Sequence, residues 1–218
     1  MSRDLILGLD TCTRWLNLAL LDAQGRLLAS SQEEVVTHTT RVLPALDALF
    51  RSAGRPREDL CAIGVVIGPG SFTGLRVGLA AAEGLSKGLG VPAFGLDSLA
   101  ALAEAATGEG TGVALLDARR KQVYAGSFVR EGDAVLSASV PVAIGPEEVL
   151  ARMPGPTWAV GDGVTLVAGW PEGCILSPGI PNIAVSAARV ARRALGEGRS
   201  PGILTPLYVR APDVRQPG

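Results

Sequence analysis

Two aspartates each close an apolar run: Asp10 ends LILGLD and Asp117 ends VALLD. Each stands fifteen residues ahead of a turn glycine, Gly25 and Gly132. A carboxylate at a strand end, next to hydroxyls, can hold Mg²⁺ together with the phosphates of a nucleotide such as ATP or ADP. Thr11 and Thr13 supply such hydroxyls after Asp10. The same residue types serve equally well as turn and capping groups. The first turn, TCTR, contains no glycine, and the second, ARRK, is bulky. The one late adenosine-loop candidate is the pair Gly161 and Gly163. Asp10, Thr11, Thr13 and Asp117 are therefore expected to be phosphate turns that have lost much of their chemistry.

Other chemistries find little support. His38 is the one histidine, and no Cys or carboxylate cluster sits at ligand spacing, so no metal site is expected. His38 reads as a solvated or capping residue near a helix start. A stand-alone protease is a further alternative, but a serine nucleophile at Ser71 would need a base beside it, and nothing in the sequence brings His38 there. Cys12, Cys61 and Cys174 are odd in number and lack CxxC spacing, so they read as free thiols. The apolar run before Asp10 is too short for a signal peptide or a membrane span. A cytoplasmic protein is expected. With 47% hydrophobic and 19% charged residues, the chain can bury a sizeable core. A net charge of −1 argues against strong autonomous nucleic-acid binding. The basic turn Arg119–Lys121 and the helical face of Arg189, Arg192 and Arg193 read as solvated charge, or as contacts made only within a larger complex.

The elements that must position these residues repeat. Leu5–Asp10, Trp15–Asp22 and Arg26–Ser31 read as a three-strand meander, followed by a helix near 39–53, a strand at 62–67 and a helix near 73–89. Val113–Asp117, Gln122–Val129 and Ala134–Val140 read the same way. A short helix near 146–152, a strand at 158–160 and a helix near 182–195 follow them. A meander, helix, strand and helix used twice predicts a duplicated α/β unit. That is the plan of the two-lobed actin-like ATPase (actin, Hsp70, sugar-kinase) fold. Residues 1–105 are expected to form the first lobe and 106–218 the second, with the last segment free to cross back. An ATP-dependent phosphotransferase of the sugar-kinase type is the alternative that this plan raises.

The block "IGPGSFTGLRVG" looks like a phosphate loop but misses both common fingerprints. No Lys follows its glycines, and Gly74 falls one residue late for Gly-x-Gly-x-x-Gly. Gly68 and Gly70 flank Pro69 and suit a sharp strand-to-helix turn. At helical spacing, Gly74, Gly78, Ala81, Leu85 and Gly88 fall on one almost bare side. Mid-helix glycine costs about 1 kcal/mol against Ala, so the row needs a reason. Close packing within the lobe and a helix–helix interface with a partner are equally open explanations. The preceding helix carries Val42, Leu43, Leu46, Leu49, Phe50 and Ala53, more apolar surface than one core face needs.

The segments "GLDTCTRWLNLALLD", "HTTRVLPALDALF", "VIGPGSFTGLRVGLAAAEGLSKGLGVPAFGLDSLAALA", "LLDARRKQVYAGSF" and "PLYVR" resemble the TsaB (YeaZ) family over nearly the whole chain. The resemblance implies an actin-like fold and a part in making N6-threonylcarbamoyladenosine at position 37 of tRNAs reading ANN codons. It implies partnership with a TsaD-type transferase, a TsaE-type ATPase and a second copy of the chain, with tRNA contacted only in the complex. First-lobe helices carry the family's dimerisation surface, which places His38, Val42, Leu46, Gly74, Gly78, Ala81 and Leu85 at the expected interface. The TsaD-type paralogue carries an HxxxH metal motif where this chain has "GLDSLAA", with Asp97 and Ala101 at the two positions. A non-catalytic partner is expected, with ATP or ADP bound, if at all, within the complex.

Overall fold

The computed structural model describes residues 3–210. The first sheet is built from β1 (Leu5–Asp10), β2 (Trp15–Leu21), β3 (Leu27–Glu34), β4 (Leu60–Val66) and β5 (Ala93–Leu96), in the order β3-β2-β1-β4-β5. The second uses β6 (Gly110–Arg119), β7 (Gln122–Glu131), β8 (Ala134–Ser137), β10 (Trp158–Gly161) and β11 (Ile175–Pro178), in the order β8-β7-β6-β10-β11. A short β9 (Val142–Ile144) also pairs with β7, and a single-turn helix α4 (Val149–Arg152) follows it. Position for position the two orders are the same. Each has an antiparallel meander on one side and parallel neighbours on the other. This is the duplicated unit of the two-lobed actin-like fold.

The central strands of the first lobe, β1, β2 and β4, are buried on both faces, whereas the edge strand β3 is largely exposed. Leu5, Leu7 and Leu9 face one core with Ile63 and Val65. On the other face Ile6 packs with Ala62, Phe94, Ala188 and Ala191. Period-2 alternation sends successive side chains to opposite cores. The first core is roofed by α1 (His38–Ala53) and α2 (Phe72–Leu89). On α1, Val42, Ala45, Leu46, Leu49 and Phe50 are buried at i, i+3, i+4, i+7 and i+8 spacing. The helix ends on Gly54 in the left-handed region, φ +63°. Pro44 sits deeper in α1 than the first turn where proline is free of cost. It lies on the exposed side, as does Thr40, whose carbonyl it leaves without a helical donor. In α2, Ser71 caps the first turn by accepting from Gly74 N–H at 3.2 Å.

The lobe boundaries differ from the sequence expectation. The helix α3 (Ser98–Ala105) packs on β6, β7 and β8 of the second lobe. The helix α5 (Ile183–Gly196) packs on β1, β2, β4 and β5 of the first lobe. The two helices also pack on each other. Each half thus lends its last helix to the other. The first sheet accepts α5 through Gly8 and Gly64, where a Cβ would overlap the carbonyls of Ala184 and Ala187. By position, α5 is therefore the counterpart of α3 and not of α2. After β10 the second half has only a short 3-10 turn, Asp162–Leu166, where the first half has α2.

The last described segment crosses back to the first lobe. Leu207 N–H donates to Ile67 O at 2.7 Å, and Tyr208 stacks on Phe72 with ring centroids 5.1 Å apart. Arg210 then reaches Gln122 in the second lobe. Among the described residues no helix is long and apolar enough to cross a membrane.

Candidate functional site

A cleft of about 470 Å³ opens between the lobes. From the first lobe it is lined by Thr13, Arg14, His38 and the Pro69–Phe72 turn, and from the second by Asp117, Arg119 and Asp162. The backbone N–H of Asp117 donates to Asp162 Oδ1 at 2.9 Å. Burial pushes the Asp162 carboxyl above its ordinary value, against that hydrogen bond. The Asp117 carboxylate accepts from Arg119 N–H at 2.7 Å. Arg119, Arg120 and Lys121 then follow in the left-handed region, with φ of 62°, 53° and 59°. Consecutive positive φ at Arg120 and Lys121 suits a two-residue hairpin, where Asn and Gly are the usual occupants.

The expected phosphate residues separate into two pairs. Thr13 and Asp117 line the cleft. Asp10 and Thr11 do not: both are buried, and their polar groups are used inside the first lobe. Asp10 accepts from Cys12 N–H at 2.7 Å and from Asn17 Nδ2 at 2.8 Å. Burial pushes its carboxyl above the usual range, against those hydrogen bonds. Thr11 donates to Gly74 O at 2.7 Å. The sequence reading of Asp10 and Thr11 as phosphate turn residues is therefore corrected: Asp10 braces the β1–β2 turn from within, and Thr11 ties that turn to α2. Ser71 and His38 share the cleft, but Ser71 Oγ caps α2 and His38 Nε2 faces Trp15 O at 3.3 Å.

Most of the residues expected at a partner interface are packed inside the chain. His38, Val42, Leu46, Gly74 and Gly78 are buried within the chain itself. A Cβ on Gly74 would overlap Thr11 O, and one on Gly78 would overlap Thr11 Oγ1. The row begun by Gly74 and Gly78 is bare because the β1–β2 turn of the same chain lies on it. Ala81 and Leu85 are half-buried against the core under α1 and α2. The open side of α2 instead presents Ala80, Gly84, Lys87 and Gly88. Gly84 and Gly88 have nothing within 4 Å of a notional Cβ. On the neighbouring α1, Leu43 is 63% exposed, with Pro44 and Ala48 also exposed. Sequence reasoning missed this ridge because α2 carries two rows of small residues. Only the contact with Thr11, 63 residues away in sequence, tells them apart. Lys87 pairs with Glu83 at 3.3 Å as helical spacing predicts, while Arg76 lies 3.9 Å over the Phe72 ring.

Strand order and interlobe cleft together define a two-lobed protein of the actin-like fold. The family described as "TsaD: tRNA N6-adenosine threonylcarbamoyltransferase" matches residues 33–162. The chain is 32% identical over 169 residues to the Escherichia coli protein named "tRNA threonylcarbamoyladenosine biosynthesis protein TsaB", covering 76% of this chain and 71% of that one. The Haemophilus influenzae protein of the same name is 38% identical over 130 residues, 58% of this chain and 54% of its own length. That match thus spans about half of the relative. The solved structure of YeaZ from Pseudomonas aeruginosa superposes with a TM-score of 0.78 at 30% identity, covering 95% of this chain and all of that one. The chain belongs to the TsaB (YeaZ) family.

Proposed function

We propose that this protein takes part in the biosynthesis of threonylcarbamoyladenosine in tRNA, as a non-catalytic partner of a TsaD-type transferase. The names of its relatives support the pathway. The partner role rests chiefly on the α1–α2 face. There an exposed Leu43 lies on one helix and a side-chain-free ridge, Ala80, Gly84 and Gly88, on the next. A bare ridge lets a second helix approach to backbone distance, and an exposed leucine gives it something to bury, worth about 1.5–3 kcal/mol. The same face would serve a second copy of this chain, so homodimer and heterodimer would compete. Within the complex the product is N6-threonylcarbamoyladenosine at position 37 of ANN-decoding tRNAs. A TsaE-type ATPase belongs to the set, and ATP or ADP lodges at the joint. Reconstitution tests this: combine the protein with transferase, ATPase, threonylcarbamoyl-AMP and tRNA, then omit one component at a time. Modification that proceeds at full rate without this protein would refute the reading.

A second reading keeps phosphotransfer in the interlobe cleft, because Asp117 and Asp162 adjoin there between Arg14 and Arg119. ATP turnover by the isolated protein, lost on Asp117→Asn, would favour it.

A further inference from the structure

A second opening, of about 790 Å³, shares no lining residue with the interlobe cleft. Its wall comes from both lobes: Gln24 and Gly25 of the β2–β3 turn, Glu104 at the end of α3, Arg130 and Asp133 at the β7–β8 turn, and Arg189, Arg192 and Arg193 on α5. Four guanidinium groups meet two carboxylates there, in a chain whose net charge is −1. Arg193 takes up Glu104 as an ion pair. Arg130 spends one nitrogen on the carbonyls of Ala103 and Glu104, the last turn of α3. Its Nε is buried with no acceptor, and so is the Nε of Arg192 beside Gly25. Arg189 is exposed and, among the described residues, makes no hydrogen bond or ion pair.

Arginines 189, 192 and 193 are spaced i, i+3 and i+4 and so share one helical face. Concentrated positive charge repels itself unless an anion completes it. Buried N–H groups without acceptors are rare in folded chains and ask for an explanation. A planar guanidinium presents paired donors that match a phosphate group. We propose that this opening binds phosphate groups through Arg130, Arg189 and Arg192, and that the backbone of tRNA supplies them. Naming tRNA rests on the proposed function; the phosphate chemistry does not. Both lobes and the exchanged helix α5 contribute to the wall, so a bound strand would bridge the two halves. The site is distinct from the α1–α2 face, which leaves that face open to a protein partner while RNA is bound.

The test uses Arg189→Ala and the double variant Arg189→Ala/Arg192→Ala. Each is checked first for an unchanged melting temperature; the single variant, at an exposed position, serves if the double one is destabilised. Binding of a fluorescent tRNA transcript is followed by anisotropy across a salt series, with and without the transferase. Sodium tripolyphosphate is titrated separately by calorimetry. Each phosphate contact contributes about 0.7–0.9 to the slope of log affinity against log salt. The double variant should bind tRNA roughly tenfold more weakly and lose about 1.4–1.8 of that slope. If tripolyphosphate binding is lost and tRNA binding is not, the phosphate site stands and its source is a free polyphosphate. If a folded double variant matches the wild type with both probes, the site is refuted. Failure of the wild-type protein to associate with the transferase would sink the proposed function alone, since the salt slope is read with and without it.

Discussion

The hydroxyl of Thr11 occupies the space that a side chain on Gly78 would need. That oxygen cannot simply swing away, because it is buried and donates to Gly74 O at 2.7 Å. Gly78→Ala should therefore destabilise the isolated protein by about 1–3 kcal/mol, the usual cost of overpacking. In a Thr11→Ala background the obstruction is gone and the next Thr11 atom, its Cβ, is 3.5 Å away. There the same Gly78→Ala change should turn stabilising, by up to about 1 kcal/mol of helix propensity. A denaturant double-mutant cycle measures the sign change. Additive effects would mean that the two residues do not meet.

Gly84 is the opposite case, since a Cβ there meets nothing. Gly84→Ala should raise stability by about 0.5–1 kcal/mol through backbone entropy and propensity alone. Gly84→Leu should leave the folded monomer intact and weaken association with the transferase or a second copy. A loss of 1–3 kcal/mol of packing would read as roughly 5- to 150-fold in affinity. Calorimetric binding together with melting temperature separates the two quantities. Undiminished affinity would move the interface off this ridge.

Asp10 makes stability depend on pH. Its carboxyl is raised by burial, so between the ordinary value of 3.8 and the raised one the folded state holds the proton more than the unfolded state does. Stability contributed by this group therefore falls as pH rises through that window. Asp10→Asn removes the effect, so the difference between the wild-type and variant curves should carry it. The variant also has a place for its new amide: Asn17 Oδ1 is buried without a donor and can turn to accept it. Asp10→Asn should thus be near neutral at pH 7. Asp10→Ala orphans two donors and should cost about 1–3 kcal/mol for each. Urea titrations from pH 4 to 8 give all three curves. Parallel wild-type and Asp10→Asn curves would show that Asp10 does not titrate in this range.

Lys121 sits at φ +59° in a turn that favours glycine at its place. Lys121→Gly should stabilise the fold by about 0.5–1 kcal/mol, a rise of roughly 1–4 °C in melting temperature for a chain of this size. A rise accompanied by loss of tRNA modification in the assembled complex would show that the cation is retained for function. No rise would mean that the surroundings already favour the left-handed turn.

Much of this architecture was legible in the residues. The two meanders, α1, β4, α2, β10 and α5 all announce themselves through periodicity bounded by turn residues. The four-residue strands β5 and β11 do not. Ala93–Leu96 is flanked by Pro92 and interrupted by Gly95, and Ile175–Pro178 lies in a Pro/Gly-rich stretch that reads as loop. Both form because a parallel neighbour offers a ladder, β4 for one and β10 for the other, and no local pattern records that. The helix α3 is too short, at eight residues, to show a clear period, although Asp97 caps it by accepting from Leu99 and Ala100 N–H. The site was less legible still. Asp10 and Asp117 are alike in sequence context, yet one is sealed in and one faces the cleft, because the long β6–β7 hairpin carries Asp117 beyond the core. The arginines of the second opening lie 59 or more positions apart between β7 and α5, and only the helix exchange brings them together.

That exchange makes the molecule behave as two interlocked clasps. A cut in the loop between α3 and β6 would give an N-terminal piece holding a helix meant for the other sheet and a C-terminal piece holding the reciprocal one. Neither fragment alone can cover both faces of its sheet, so each should be sticky and poorly soluble. Mixed together, each carries what the other lacks. The two halves should therefore reassemble as a split protein, and the intact chain should melt in one step although its fold is one unit used twice.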